Sequence, residues 1–200
     1  PMTAAGKKQL VKGGVACGVM LTVASLFQQI GIAYTTVGKA GFITSMYLIL
    51  VPILGLFLGK KVRPLVWFCV ALSVVGLYLL CMAGPASLGS GDLLVLLCAL
   101  VFALHILAID YFSRRVDTLV LSCFQFLICG ALCAGPMLAL EHPTAGAILA
   151  AWKPILYAGI LSSGVGYTLQ AVAQRRPDPT VASLILCMES VFSALFGFLI

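Results

Sequence analysis

LLVLLCALVFALHILAIDYF, residues 93 to 112, is an unbroken apolar run interrupted only by His105 and Asp110. A bilayer core about 30 Å thick needs about 20 such residues in a helix, and no polar–apolar alternation of the kind a half-buried strand shows is present. The stretch reads as a membrane-spanning helix. Only helices and closed barrels satisfy backbone groups in lipid, and there are no turn signals every ten residues to suggest a barrel.

Cutting the rest of the chain at its charges gives six more runs of this kind: Gly13 to Tyr34, Ala40 to Gly59, Leu65 to Ala83, Leu119 to Leu140, Pro154 to Gln174 and Thr180 to Ile200. Composition agrees, with 62% hydrophobic and only 9% charged residues and a mean hydropathy of +1.15, against about 25% charged in soluble domains. So few charges cannot cover a water-soluble domain, which excludes that class as well as disorder and nucleic-acid binding. The expected fold is an all-α polytopic membrane protein with seven helices present, in contact with lipid.

The connections between runs must alternate sides. One side then collects Lys7, Lys8, Lys12, Lys60, Lys61, Arg63, Arg114, Arg115, Arg175 and Arg176, the other only Lys39 and Lys153. The positive-inside rule makes the first side, with residues 1–12, cytoplasmic. Residues 1–12 carry neither a signal peptide's apolar run nor a lipidation motif, Pro1 is no initiator, and the seventh run ends without a closing loop, so the chain is expected to be a piece of a longer protein.

Displacing the sequence on itself by 142 residues lays the first two runs over the last two without a gap: Gln28 falls on Gln170, Ala40 on Ala182, Ile43 on Ile185, Met46 on Met188 and Gly55 on Gly197. The copies are separated by an odd number of helices, so they would cross the membrane in opposite directions. Inverted repeats of this kind build many secondary transporters, with the binding site near the midplane between halves. The offset implies two helices before residue 1 and one beyond Ile200, making a 5+5 helix fold.

The segments Tyr34 to Thr44 leading to Val51-Pro52, Gly76 to Leu80, Gly91-Asp92-Leu93 with Ala103-Leu104-His105, and Ala182-Ser183-Leu184 leading to Glu189 through Phe192 are similar in order and spacing to the drug/metabolite transporter superfamily, specifically its EamA-type ten-helix permeases. The resemblance covers nearly the whole chain. It implies the third through ninth of ten helices, with residues 1–84 the C-terminal part of a first EamA half (three helices) and residues 85–200 a second half lacking its last helix (four helices). It also implies a bacterial cytoplasmic (inner) membrane location and efflux. The Gly-Glu pair common after the fourth helix is Gly59-Lys60 here, so no role of that acid carries over.

Glu189 stands about midway along the seventh run, where an ionisable group costs about 2 to 3 kcal/mol on insertion scales. It either faces a cavity as a proton or substrate-ammonium site, or hydrogen-bonds a neighbouring helix in protonated form. The offset sets Tyr47 opposite it. His105 is a proton-relay candidate or a packing residue. Gln28, Gln170 and, more weakly, Tyr167 either line the cavity or tie helices together. Pro52 removes a backbone donor and clashes with the Leu48 carbonyl, predicting a kink that serves as gate or merely shapes the bundle. Gly14 with Gly18, Gly55 with Gly59, and Ser193 with Gly197 are small-residue pairs suited to close helix packing. All eight cysteines lie in apolar runs without CxxC spacing; Cys129 and Cys133 sit at i and i+4 with no His or acid on their helix. No metal site, cofactor or catalytic residue is expected.

Together these point to a secondary active transporter, expected to export small metabolites, amino acids or drugs by alternating access, with protons a candidate coupling ion and oligomeric state open. The alternative is a non-transporting scaffold or an intramembrane enzyme.

Overall fold

In the computed structural model, residues 4–81, 89–141, 143–189 and 192 are described. Helices form throughout: α1 (Ala4–Ile32), α2 (Val37–Thr44), α3 (Tyr47–Phe57), α4 (Pro64–Cys81), α5 (Ser90–Ser113), α6 (Thr118–Pro136), α7 (Ala145–Ala150), α8 (Trp152–Leu156), α9 (Thr168–Ala173) and α10 (Pro179–Leu186). Wider, π-type turns at Met137–Glu141 and Tyr157–Tyr167 continue α6 and join α8 to α9. Among the described residues, five helical stretches are long and apolar enough to span a bilayer: Gly6–Ile32, Gly38–Phe57, Ser90–Ser113, Thr118–Glu141 and Trp152–Ala173. The third run of the sequence forms a shorter apolar helix, Pro64–Leu79. The seventh is described only as far as Glu189 and at residue 192.

Local chemistry sets the helix ends. Asp117 caps α6 by accepting from Leu119 N at 2.9 Å and Val120 N at 3.3 Å, and Asp178 caps α10 by accepting from Thr180 N at 2.9 Å, with Pro179 in the first turn. Both satisfy backbone N–H groups that a helix start leaves without internal partners. α3 ends on Gly59, whose φ of 77° is open to glycine without a side-chain clash. There Lys60 N donates to Gly55 O at 2.9 Å and Gly59 N to Leu56 O at 3.0 Å, the paired bonds of a Schellman stop.

The chain packs as two units, one of residues 1–22 and 108–176, the other of residues 23–107 and 177–200, with boundaries inside α1 and α5. In unit 1, Leu10 and Cys17 of α1 are buried with Ile109 of α5, Leu121 of α6 and Ala171 of α9. In unit 2, Leu48, Val70, Leu77 and Cys187 join α3, α4 and the end of α10. A second cluster there, Val51 with Ala103, Ile106 and Leu107, joins α3 to α5. Large apolar side chains such as Phe57, Leu79 and Leu140 are strongly exposed, the surface expected of a protein whose solvent is lipid.

Candidate functional site

Tyr47 begins α3 and packs against both clusters of unit 2, the one built on Leu48 and Cys187 and the one built on Val51 and Ala103. His105 lies on the same buried stretch of α5 as Ala103 and Ile106, and is 1% exposed. Pro52 is buried inside α3. Gln28 is half-buried on α1 and donates to Thr44 Oγ1 of α2 at 3.4 Å. Glu189 follows α10 two residues after the buried Cys187, and its side chain is exposed. Unit 2 therefore holds Gln28, Tyr47, Pro52, His105 and Glu189. Tyr167 and Gln170 belong to unit 1, where the Tyr167 ring stands edge-on to Phe126, 6.3 Å between centroids.

The run from α2 to α3 is not one regular helix. Ser45 and Met46 interrupt it, with tightened bonds from Met46 N to Ile43 O, Leu48 N to Ser45 O and Ile49 N to Met46 O, all 2.9–3.0 Å. α10 is interrupted at Cys187. Ser45 and Cys187 are 142 residues apart, the offset of the sequence repeat, and the Cys187 thiol lies 3.9 Å from the Ser45 carbonyl oxygen. The N-caps Thr36 and Asp178 are also 142 apart. Helix starts and helix breaks thus coincide under the offset, and the two equivalent breaks touch.

A polar centre that sequence reasoning missed sits where α1 ends and α2 and α5 begin. Asp92, 3% exposed, accepts from Lys39 Nζ at 2.7 Å, from the Thr35 hydroxyl and from Gly89 N at 2.8 Å. The last is the backward half of a capping box on α5. Beneath it the backbones are almost in contact: a Cβ on Gly91 would stand 2.8 Å from Gly31 O and from Tyr34. One ammonium and two neutral donors suit an ionised carboxylate, and one carboxylate oxygen serves both Lys39 and Gly89. The sequence did carry a signal: Lys39 is one of only two cations assigned to its side, and Asp92 lies in a connection on that same side.

Small residues divide by role. A Cβ on Gly14 would meet Phe124 Cβ at 2.6 Å, and one on Gly18 would meet Ile128 Cβ at 2.8 Å and Gln125 O at 2.9 Å, so α1 and α6 approach closely at both. Gly55 and Gly59 differ from the packing role expected of them. Among the described residues, a Cβ on Gly55 would find only Lys60 atoms at 3.8 Å, and one on Gly59 would find nothing within 4 Å; Gly59 serves the left-handed turn that ends α3. Ser193 and Gly197 lie outside the described residues. Asp110 accepts from Arg114 Nε at 2.9 Å and Nη2 at 2.6 Å one turn further on.

The fold defines an all-α polytopic membrane protein. The family model of the EamA-like transporter family matches residues 89–200, and the chain belongs to that family. It is also 31% identical over 193 residues to a protein of Archaeoglobus fulgidus named as an uncharacterized transporter. That match takes in 93% of this chain and 60% of the relative, so the chain spans less than two thirds of the relative's length.

Proposed function

We propose that this chain is the central part of a secondary active transporter of the cytoplasmic (inner) membrane, exporting small metabolites, amino acids or drugs by alternating access between two inverted five-helix halves. The observation that carries the reading is the self-contact of the repeat at Ser45 and Cys187, together with helix starts that share its offset. In a pair of halves related by a two-fold axis, equivalent residues can touch only near that axis. Family membership supports transport over scaffolding or intramembrane catalysis.

In this reading Glu189 is the proton- or substrate-binding carboxyl, because an ionisable group within an apolar run is costly to place there. Tyr47, His105 and Gln28 supply hydroxyl, imidazole and amide within unit 2, and Gln170 and Tyr167 are the polar candidates of unit 1. The repeat is imperfect at one instructive point: Thr44, partner of Gln28, corresponds to Leu186, so the amide-to-hydroxyl bond has no counterpart beside Gln170. The two halves are therefore not chemically equivalent at this point.

The test compares extracellular metabolites of cells producing the whole protein with those of cells producing Glu189→Gln, across external pH. A compound that accumulates outside with Glu189, and whose export loses its pH dependence in the variant, supports coupled export. Profiles equal to those of cells lacking the protein sink the export reading, and an unchanged pH dependence removes Glu189 from the coupling.

A further inference from the structure

The end of unit 1 where α1 starts and α5 and α9 finish gathers charge that transport does not use. Lys7, Lys8 and Lys12 on α1, Arg114 and Arg115 after α5, and Arg175 and Arg176 after α9 are all exposed. The core beneath brings them to one end: Leu10, Ile109, Leu121 and Ala171 are buried together, with Phe112 and Val116 against them, and each cation lies within about two helical turns of a member of that cluster. The nearby acids are already engaged. Asp110 holds Arg114, and Asp117 caps α6. Arg115 is fixed flat, its guanidinium 3.6 Å over the Tyr111 ring and its Nη1 donating to the Tyr111 carbonyl at 2.6 Å.

Unit 1 also holds buried polar groups close in sequence to these cations. Gln174, directly before Arg175, is 3% exposed, and neither its amide nitrogen nor its oxygen has a partner among the described residues. The hydroxyls of Ser113 and Ser122, 0% and 1% exposed, also lack one. Buried polar groups without partners are costly in a membrane protein. A cation excess calls for an anion.

We propose that this end of unit 1 binds the phosphate headgroup of an anionic membrane phospholipid, with its acyl chains along the exposed Leu119, Leu127 and Leu132 of α6. A phosphodiester carries the charge the rim lacks, and clustered Lys and Arg beside membrane helices are suited to such headgroups. Topology alone would also place cations on this side, so the test must separate a site from a diffuse field.

Phosphatidylglycerol and phosphatidylcholine are titrated separately into the purified, delipidated protein, and bound lipid is counted by native mass spectrometry. Each cation near an anionic headgroup is worth roughly a five-fold change, so Arg175→Gln with Arg176→Gln is expected to weaken phosphatidylglycerol binding about thirty-fold and leave phosphatidylcholine unchanged. The matched pair Lys60→Gln with Lys61→Gln, from unit 2, should leave both unchanged. Arg175→Lys with Arg176→Lys keeps the charge and should recover most of the affinity, which separates lost binding from lost folding. Equal effects of the two glutamine pairs, no effect of either, or equal binding of the two lipids would overturn the proposal. So would inorganic phosphate alone binding with the same dependence on Arg175 and Arg176, since the site would then be one for a soluble anion.

Discussion

Asp92 shows how much a single side chain can carry at a corner between helices. Its two oxygens take the Lys39 ammonium, the Thr35 hydroxyl and the Gly89 amide, so one carboxylate ties the α1–α2 turn to the first turn of α5. Hydrogen bonds to a charged group contribute about 1.5 to 3 kcal/mol each, and removing one member of such a set leaves the others without partners. Asp92→Ala is accordingly expected to lower stability by about 2 kcal/mol or more, read as an earlier midpoint in detergent unfolding. Lys39→Met should cost clearly less in an Asp92→Leu background than alone, because the ammonium is then no longer left without its carboxylate; equal costs in the two backgrounds would mean that the pair contributes nothing. The sequence exposed both charges but not their meeting. Residues 39 and 92 are far apart in the chain, and no periodicity joins them. Gln28 stood out in the sequence because any polar group deep in an apolar run is conspicuous, yet its partner Thr44 did not, since a threonine blends into such a run.

At the scale of elements, five spans were readable because bilayer thickness fixes their length and charges interrupt the apolar runs, whereas the capping roles of Asp117 and Asp178 and the turn at Gly59 emerged only in the structure. The interruption at Ser45 and Met46 was not, since neither residue breaks a helix by itself. Pro52 was expected to kink the run, and it lies in α3, whose irregular bonds are found just upstream. A proline ring crowds the carbonyl four residues earlier, here that of Leu48, so the backbone before Leu48 is where the distortion would be taken up. The small-residue pairs looked alike in sequence and part company in the structure. Gly18→Ala must move α1 away from the α6 backbone, a cost of about 1 to 3 kcal/mol. Gly59→Ala meets no described neighbour but forces an L-residue into the left-handed region, for about 1 kcal/mol. Gly55→Ala meets neither obstacle and should be neutral or slightly stabilising. Unfolding midpoints of the three variants should fall in that order, and Gly55→Ala proving as harmful as Gly18→Ala would show that Gly55 also packs a helix.

For the molecule as a whole, sequence halves and packing units are different divisions. The repeat runs from the first two spans to the last two, whereas each compact unit draws residues from both parts of the chain. Sequence reveals descent and hydropathy, but which helices share a core is settled by side-chain fit. The repeat does make one dynamic prediction. If the halves alternate by exchanging conformations, every contact between residues i and j in one state becomes, in the other, the contact between their repeat partners. The Ser45–Cys187 contact maps onto itself under this exchange, so it should persist in both states. The Gln28–Thr44 bond maps onto Gln170 and Leu186, which cannot form it, and so should belong to one state only. Ser45→Cys, in a background keeping Cys187 as the other cysteine, should cross-link under a membrane-permeant oxidant, given the closeness of the Cys187 thiol to the Ser45 backbone. Transport should survive the cross-link, because a tether at the axis does not oppose the exchange. Activity that vanishes on oxidation and returns on reduction would show that α10 slides past α3 during the cycle, and the exchange of equivalent halves would have to be given up.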